Sequence, residues 1–275
     1  MKTVFTCRFG VSGREPEEQG WYRTMSVSMP TAERWVDRWE QQQQRYAIDR
    51  EERFTVVADV VEHVTADHDR PRILDLGCGP GSLPARLVGR LPTARIVAVD
   101  MDPLLLALGR ARHPNAARYV EAVIGEDGWI ATLALRGPVD AIVSTTALHY
   151  LPEQVLRRTY AELTALLRPG GVLINADHLS QEGASVAGIA EFVGTRRAER
   201  QRAFDHEDWE AWWAAIAHEP ELAELCARRR RRGSEHSGCS VTVARHVELL
   251  KEAGFTNAGP VWQVGNSYVL VAVRQ

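Results

Sequence analysis

The clearest chemistry in this 275-residue chain lies in Asp75, Gly77, Gly79, Gly81 and Asp100. Glycines at alternate positions let a backbone pass close to a ligand, because no side chain stands between them. They follow an apolar run, Ile73–Leu76, and a second apolar run, Ile96–Val99, ends at Asp100. A carboxylate there can accept hydrogen bonds from both hydroxyls of a ribose. An apolar strand, a glycine-rich turn and a second strand closed by an acid make the nucleotide pocket of an α/β sheet. The spacing is G-x-G-x-G rather than the G-x-G-x-x-G that sets a helix N-terminus against a pyrophosphate, so it argues against a nicotinamide dinucleotide.

Further residues are candidates for chemistry or for substrate contact. His149 and His178 follow apolar runs, and histidine titrates near neutrality, so either can serve as a general base. Trp35, Trp39 and Tyr46 share one side of a helical pattern and are candidates for substrate contact. Trp209, Trp212 and Trp213 stand at i, i+3 and i+4, a stripe that packs a core more often than it cages a substrate. Trp209 and Trp213 are retained as substrate candidates, as is Tyr150. Arg50 and Arg53 can pair with a ligand carboxylate, although a solvated helix face is the better reading. Arg228–Arg232 is a run of five arginines; with Glu221 and Glu224 close by, it reads as a solvated helix end before it reads as a phosphate-binding footprint.

The pattern of the chain supplies elements to hold these groups. Helices are expected at Ala32–Tyr46, Glu51–Val64, Leu83–Arg90, Pro103–Ala111, Glu153–Leu167 and His246–Ala253. Strands are expected at Arg72–Leu76, Arg95–Val99, Tyr119–Ile124, Ala141–Ser144 and Val172–Ala176. Strict alternation with short connections implies a mainly parallel sheet covered on both faces. Residues 179–240 break the alternation and read as polar helices. The tail reads as a hairpin, Asn257–Val264 and Tyr268–Arg274, turning at Gly265-Asn266-Ser267. The expected fold is α/β, a Rossmann-like, seven-stranded, mainly parallel sheet with a C-terminal antiparallel hairpin and a helical cap. Residues 1–46 form a leader and lid helix, 47–178 and 241–275 the core, and 179–240 the cap insert.

Asp75 with the glycine turn, Asp100, Gly125-Glu126-Asp127-Gly128-Trp129, Ser144–Leu151, Leu166–Ile174 and the closing hairpin together resemble the class I S-adenosylmethionine (SAM)-dependent methyltransferases, of the small-molecule type. The resemblance covers roughly Arg72–Asp177 and the hairpin. It implies that Gly77, Gly79 and Gly81 cradle the methionine part of SAM, that Asp100 holds the ribose and that Met101 packs on the adenine. It also implies that Asp127 accepts from the adenine amino group, with Glu126 as the alternative. Asp75, Cys78, Trp129 and Ser144 complete the implied cofactor set. The cofactor would be SAM, its product S-adenosylhomocysteine (SAH), and no metal is expected. The partner would be a small molecule, such as a metabolite or natural-product intermediate. The alternatives are a SAM enzyme without methyl transfer, of the cyclase or decarboxylase kind, and an RNA or protein methyltransferase.

Bulk properties agree with an ordinary soluble enzyme: hydrophobic content is 45% and formal net charge −3. A net acidic chain argues against nucleic acid as a partner. No apolar run approaches the roughly 18 residues that span a bilayer, and Met1–Gly20 has no continuous apolar stretch. Cys7, Cys78, Cys226 and Cys239 lack metal-ligand or disulfide spacing, so a reducing, cytoplasmic setting is expected. Oligomeric state stays open, a homodimer being one option.

Overall fold

The computed structural model describes residues 27–232 and 241–275. Residues 1–26 of the expected leader, Cys7 among them, and residues 233–240 of the cap, with Cys239, lie outside the described residues.

The first helix, α1 (Met29–Tyr46), is capped by Ser28, whose side chain accepts from the Thr31 N–H, with Pro30 in its first turn. Helix α2 (Arg50–Val64) follows. Then β1 (Arg72–Leu76), α3 (Ser82–Arg90), β2 (Arg95–Asp100), α4 (Pro103–Arg112) and β3 (Arg118–Glu121) alternate. After them come α5 (Trp129–Thr132), β4 (Val139–Thr145), α6 (Glu153–Leu166) and β5 (Leu167–His178). Helices α7 (Ala184–Arg200), α8 (Trp209–Ile216) and α9 (Ala223–Arg232) precede α10 (Val243–Glu252), β6 (Asn257–Val264) and β7 (Ser267–Val273).

The strands form one seven-stranded sheet in the order β3-β2-β1-β4-β5-β7-β6. The first five run parallel; β7 is antiparallel to both β5 and β6. Successive side chains of a strand point to opposite faces, and both faces are covered here. Leu74, Leu76 and Ile142 pack with Leu156 and Tyr160 of α6 and Leu249 of α10. On the other face Ile73, Ala141 and Val143 pack with Phe54 and Val57 of α2 and Leu87 of α3. A third apolar cluster joins α1, α4, α8 and α9 through Trp35, Trp39, Leu104, Leu108, Trp212 and Leu225.

Two expectations need correction at element ends. Strand β3 stops at Glu121 rather than Ile124: the Ala122 N–H makes the last ladder bond, to the Asp100 carbonyl, and the chain then enters the Gly125 turn. Strand β5 begins five residues early, at Leu167. Its register against β4 jumps between Leu167 and Val172, so Arg168–Gly171 bulge out of the ladder. The edge strand β6 breaks register between Pro260 and Trp262, where proline supplies no N–H. Among the described residues, no helix is long and apolar enough to cross a membrane.

Candidate active site

The carboxyl ends of β1, β2, β4 and β5 meet at one edge of the sheet, where open α/β sheets bind ligands. After β1 the chain turns back on itself, and the Gly77 and Cys78 N–H groups both donate to the Val99 carbonyl, at 2.8 and 2.9 Å. Gly77 has φ 71° and Gly81 φ 85°, left-handed values that other residues rarely adopt. A Cβ on Gly77 would collide with Ala147, and one on Gly81 with the Tyr119 hydroxyl. Trp39 of α1 lies over Gly79, its Cζ2 3.6 Å from where a Cβ would stand.

Asp100 holds this turn in place. Its Oδ2 accepts from the Gly79 N–H at 2.7 Å and its Oδ1 from the Asp102 N–H at 2.9 Å. Burial pushes its carboxyl up to about 6. Asp75, buried behind the turn, has neither carboxyl oxygen partnered. Burial, with the Asp100 charge beside it, pushes Asp75 up to about 8, so it carries a proton at neutral pH.

After β4 the backbone passes through Thr146 at φ 52°, a conformation uncommon outside glycine, with its N–H on the Ala176 carbonyl. This sets the short 3-10 turn Leu148–Tyr150 against the end of β5. There His149 Nδ1 lies 2.7 Å from Asp177 Oδ1, while the His149 N–H donates to Asp177 Oδ2 at 3.3 Å. The His178 N–H also donates to Asp177, at 2.8 Å. Asp177 is fully buried. Burial disfavours its charge, but the His149 hydrogen bond, the charges of His149 and His178 and that of Arg53 outweigh this and hold its carboxyl below the usual range. Burial likewise works against a charged His149 ring, yet the bond to Asp177 and its charge raise His149 above the ordinary histidine value. His178 differs: burial and the nearby Arg53 push it down to about 4, and its Nε2 is buried without a partner.

One cavity of about 1570 Å³ spans this edge, above the roughly 300–1,000 Å³ of a single small-molecule site. Of the candidate cofactor residues, Gly77, Cys78, Gly79, Asp100, Met101 and Asp127 line it, as does Glu126. So do His149, His178 and Tyr150, and from the helices above Trp39, Tyr46, Trp209 and Trp213. Gly81 is not on the wall but starts α3 behind it.

Three candidates face elsewhere. Ser144 is buried, and its hydroxyl donates to the Leu76 carbonyl at 2.9 Å, tying β4 to β1. Trp129 sits in the core, donating its indole N–H to Glu162 at 2.8 Å. Trp35 is buried between α1 and the cap, with its indole N–H on Glu219 at 3.0 Å. All three brace the site from outside the cavity.

The arginines also depart from expectation. Arg50 is buried, paired with Glu40 and stacked 4.6 Å from the Phe54 ring; Arg53 is only 1% exposed, and burial lowers it to about 10. Neither lies on a solvated face. Within the five-arginine run, Arg228, Arg230 and Arg231 are exposed, as a solvated helix end requires, while Arg228 also pairs with Glu121 and Arg229 with Asp102, tying α9 to β3 and to the start of α4. Asp177 and Arg229 escaped sequence reasoning. Asp177 closes an apolar strand as Asp100 does, which was a readable signal; Arg229 acquires its place only through the cap fold.

Comparison with known proteins accords with this geometry. Residues 73–171 match the family described as methyltransferase domain. The trans-aconitate 2-methyltransferase of Azoarcus sp. is 36% identical over 135 residues, 49% of either chain. The Escherichia coli protein of the same name is 34% identical over 125 residues, 40% of this chain and 46% of its own. The chain thus spans about half the length of the curated relatives it matches. An O-methyltransferase family protein from Burkholderia thailandensis shares the fold at TM-score 0.53 and 15% identity, over 90% of this chain and 71% of its own. Magnesium protoporphyrin IX methyltransferase from Synechocystis PCC 6803, solved with SAH, does so at TM-score 0.52 and 15% identity, over 87% and 94%. The chain thus carries a methyltransferase domain over residues 73–171, and its sheet order and glycine turn accord with the class I SAM-dependent methyltransferases it resembles.

Proposed function

We propose that this protein transfers a methyl group from SAM to a hydroxyl of a small molecule, with His149 as the base. The observation that carries the proposal is the His149–Asp177 pair in the wall of the cavity that the glycine turn also lines. The residues fit the cofactor: Gly77 and Gly81 leave a cradle that a Cβ would fill, and Asp100 offers a carboxylate at the strand end. In this reading Gly77, Gly79 and Asp100 hold SAM, with Met101 and either Glu126 or Asp127 at its adenine. When bound, SAM supplies an electrophilic methyl: the oxygen–carbon bond forms as the carbon–sulfur bond breaks, and the sulfur keeps the electron pair as SAH.

The protein's part is to position, dry and deprotonate. Holding two reactants in line removes most of the entropic barrier, and the tryptophan-bearing helices above the cavity keep water out. Asp177 engages Nδ1 of His149, which leaves Nε2 to take the proton of the acceptor hydroxyl. Buried and ionised, Asp177 then stabilises the imidazolium that forms. His178, held neutral with a weakly basic ring, lines the wall rather than competing for the proton. The division into a 47–178 and 241–275 core, a lid helix and a 179–240 cap belongs to this same reading. It is supported by the separate apolar cluster that joins α1, α8 and α9 over α4.

The test is calorimetry with SAH, followed by the pH dependence of methyl transfer. Activity rises with pH as His149 loses its proton, through an apparent value above the ordinary 6.5. Asp177→Asn removes the charge that favours imidazolium, so the rise moves to lower pH while the plateau drops by about 10²-fold or more. A profile indifferent to Asp177→Asn rules out His149 as the base, and absence of SAH binding refutes the whole assignment.

A further inference from the structure

The roof of the cavity is built from indole rings. Trp39 and Trp209 lie 5.3 Å apart between centroids at 60°, and Trp209 and Trp213 5.6 Å apart at 65°. Trp212 behind them is fully buried, yet Trp209 and Trp213 stay only half-buried and line the cavity. The Trp209 N–H donates to the Tyr46 hydroxyl at 2.9 Å, which locks the C-terminal end of α1 to the start of α8. The Trp213 indole N–H is buried without a partner. Below, the Tyr150 ring stacks 4.0 Å from His149 and is 41% exposed. A wall this rich in flat apolar faces gains most by covering them with another flat apolar face.

The arginines on the wall are already engaged. Arg50 pairs with Glu40, and Arg229 pairs with Asp102 at 2.7 Å. Arg158 donates to the Gly125 carbonyl at the turn that carries Glu126 and Asp127. Among the described residues, the wall has no pair of arginines left open to fork onto carboxylates, which is what binding a polycarboxylate calls for. A cationic acceptor is no better served. The guanidinium of Arg229 lies 3.5 Å from the Trp213 ring centroid and so takes the cation's place on that face.

Resting on the methyltransferase reading above, we infer that the acceptor is a planar, uncharged aromatic hydroxyl compound seated under the tryptophan roof. It is not a polycarboxylate of the kind named for the sequence relatives. The ring packs against Trp209, and the hydroxyl faces His149.

The test uses the full chain saturated with SAH and three probes in calorimetry: 2-naphthol, trans-aconitate and tryptamine. The expected result is measurable binding of 2-naphthol and at least tenfold weaker binding of the other two. Trp209→Leu weakens 2-naphthol about tenfold while SAH affinity stays within threefold; Trp209→Phe, which keeps a ring, stays within threefold for both. Should Trp209→Leu fail to fold, the ranking of the probes and the Phe variant decide. SAH binding without 2-naphthol binding overturns the inference alone, as does equal or tighter binding of trans-aconitate or tryptamine. Failure of the parent chain to bind SAH overturns the methyltransferase reading as well, so the two failures are told apart.

Discussion

The sheet edge and the tryptophan roof close the same cavity but are made by different physics. At the edge, position comes from the backbone: a left-handed glycine turn, N–H groups on the Val99 carbonyl and carboxylates at strand ends. These contacts are short in range or run between neighbouring strands, and few other sequences could make them. The roof is held by side chains far apart in the chain, as with the Trp209–Tyr46 bond, which joins positions 163 residues apart. Its rings can be repacked by other large apolar residues at modest cost. On the function proposed here, constrained backbone would bind the cofactor common to a family, and adaptable side chains the acceptor particular to one protein.

The comparison can be broken or sharpened by substitution. The largest effect is expected from Gly81→Val, which needs φ 85° and drives a branched side chain into Tyr119. Calorimetry should then detect no SAH binding. Wild-type affinity would show that the turn is not a constrained cradle. Trp212→Ala, at the fully buried centre of the roof, should lower stability by about 3–5 kcal/mol in urea unfolding. A loss below about 1 kcal/mol would mean that the roof is only loosely packed.

A smaller effect concerns pH. Folded Asp75 holds its proton up to about 8, well above the ordinary 3.8, so the folded chain binds a proton that the unfolded chain releases. Its contribution to stability is therefore lost as pH rises from about 4 to about 8. Asp75→Asn should flatten the fall in melting temperature over the upper part of that window, above the range of ordinary histidines. An unchanged slope would place the effect elsewhere. The smallest change is expected from Arg34→Ala. Its ion pair with Glu219 ties α1 to the cap, but Arg34 is half exposed, so at most about 1 kcal/mol should be lost.

How far the site was legible follows the same divide. Asp75, the glycine turn and Asp100 are readable because each is a local rule: a residue type fixed by what its own backbone must do. Most helix and strand boundaries came within a few residues for the same reason. Ser144, Trp129 and Trp35 misled because their types suit a pocket, while the direction in which each points depends on packing partners. Asp177 was overlooked because its meaning lies in His149, 28 positions earlier, and the two meet only when β4 and β5 pair.

By itself, then, the order of apolar runs and turn residues determined an alternating α/β sheet and a left-handed glycine turn at its carboxyl edge, since hydrophobic periodicity and backbone sterics act over short stretches of chain. Only the tertiary structure decided which histidine has an acid behind it, that two arginines of the five-residue run pair with acids of β3 and α4, and which tryptophans face the cavity. Those outcomes depend on burial and on charges brought together from distant segments, and both come into being only when the chain packs.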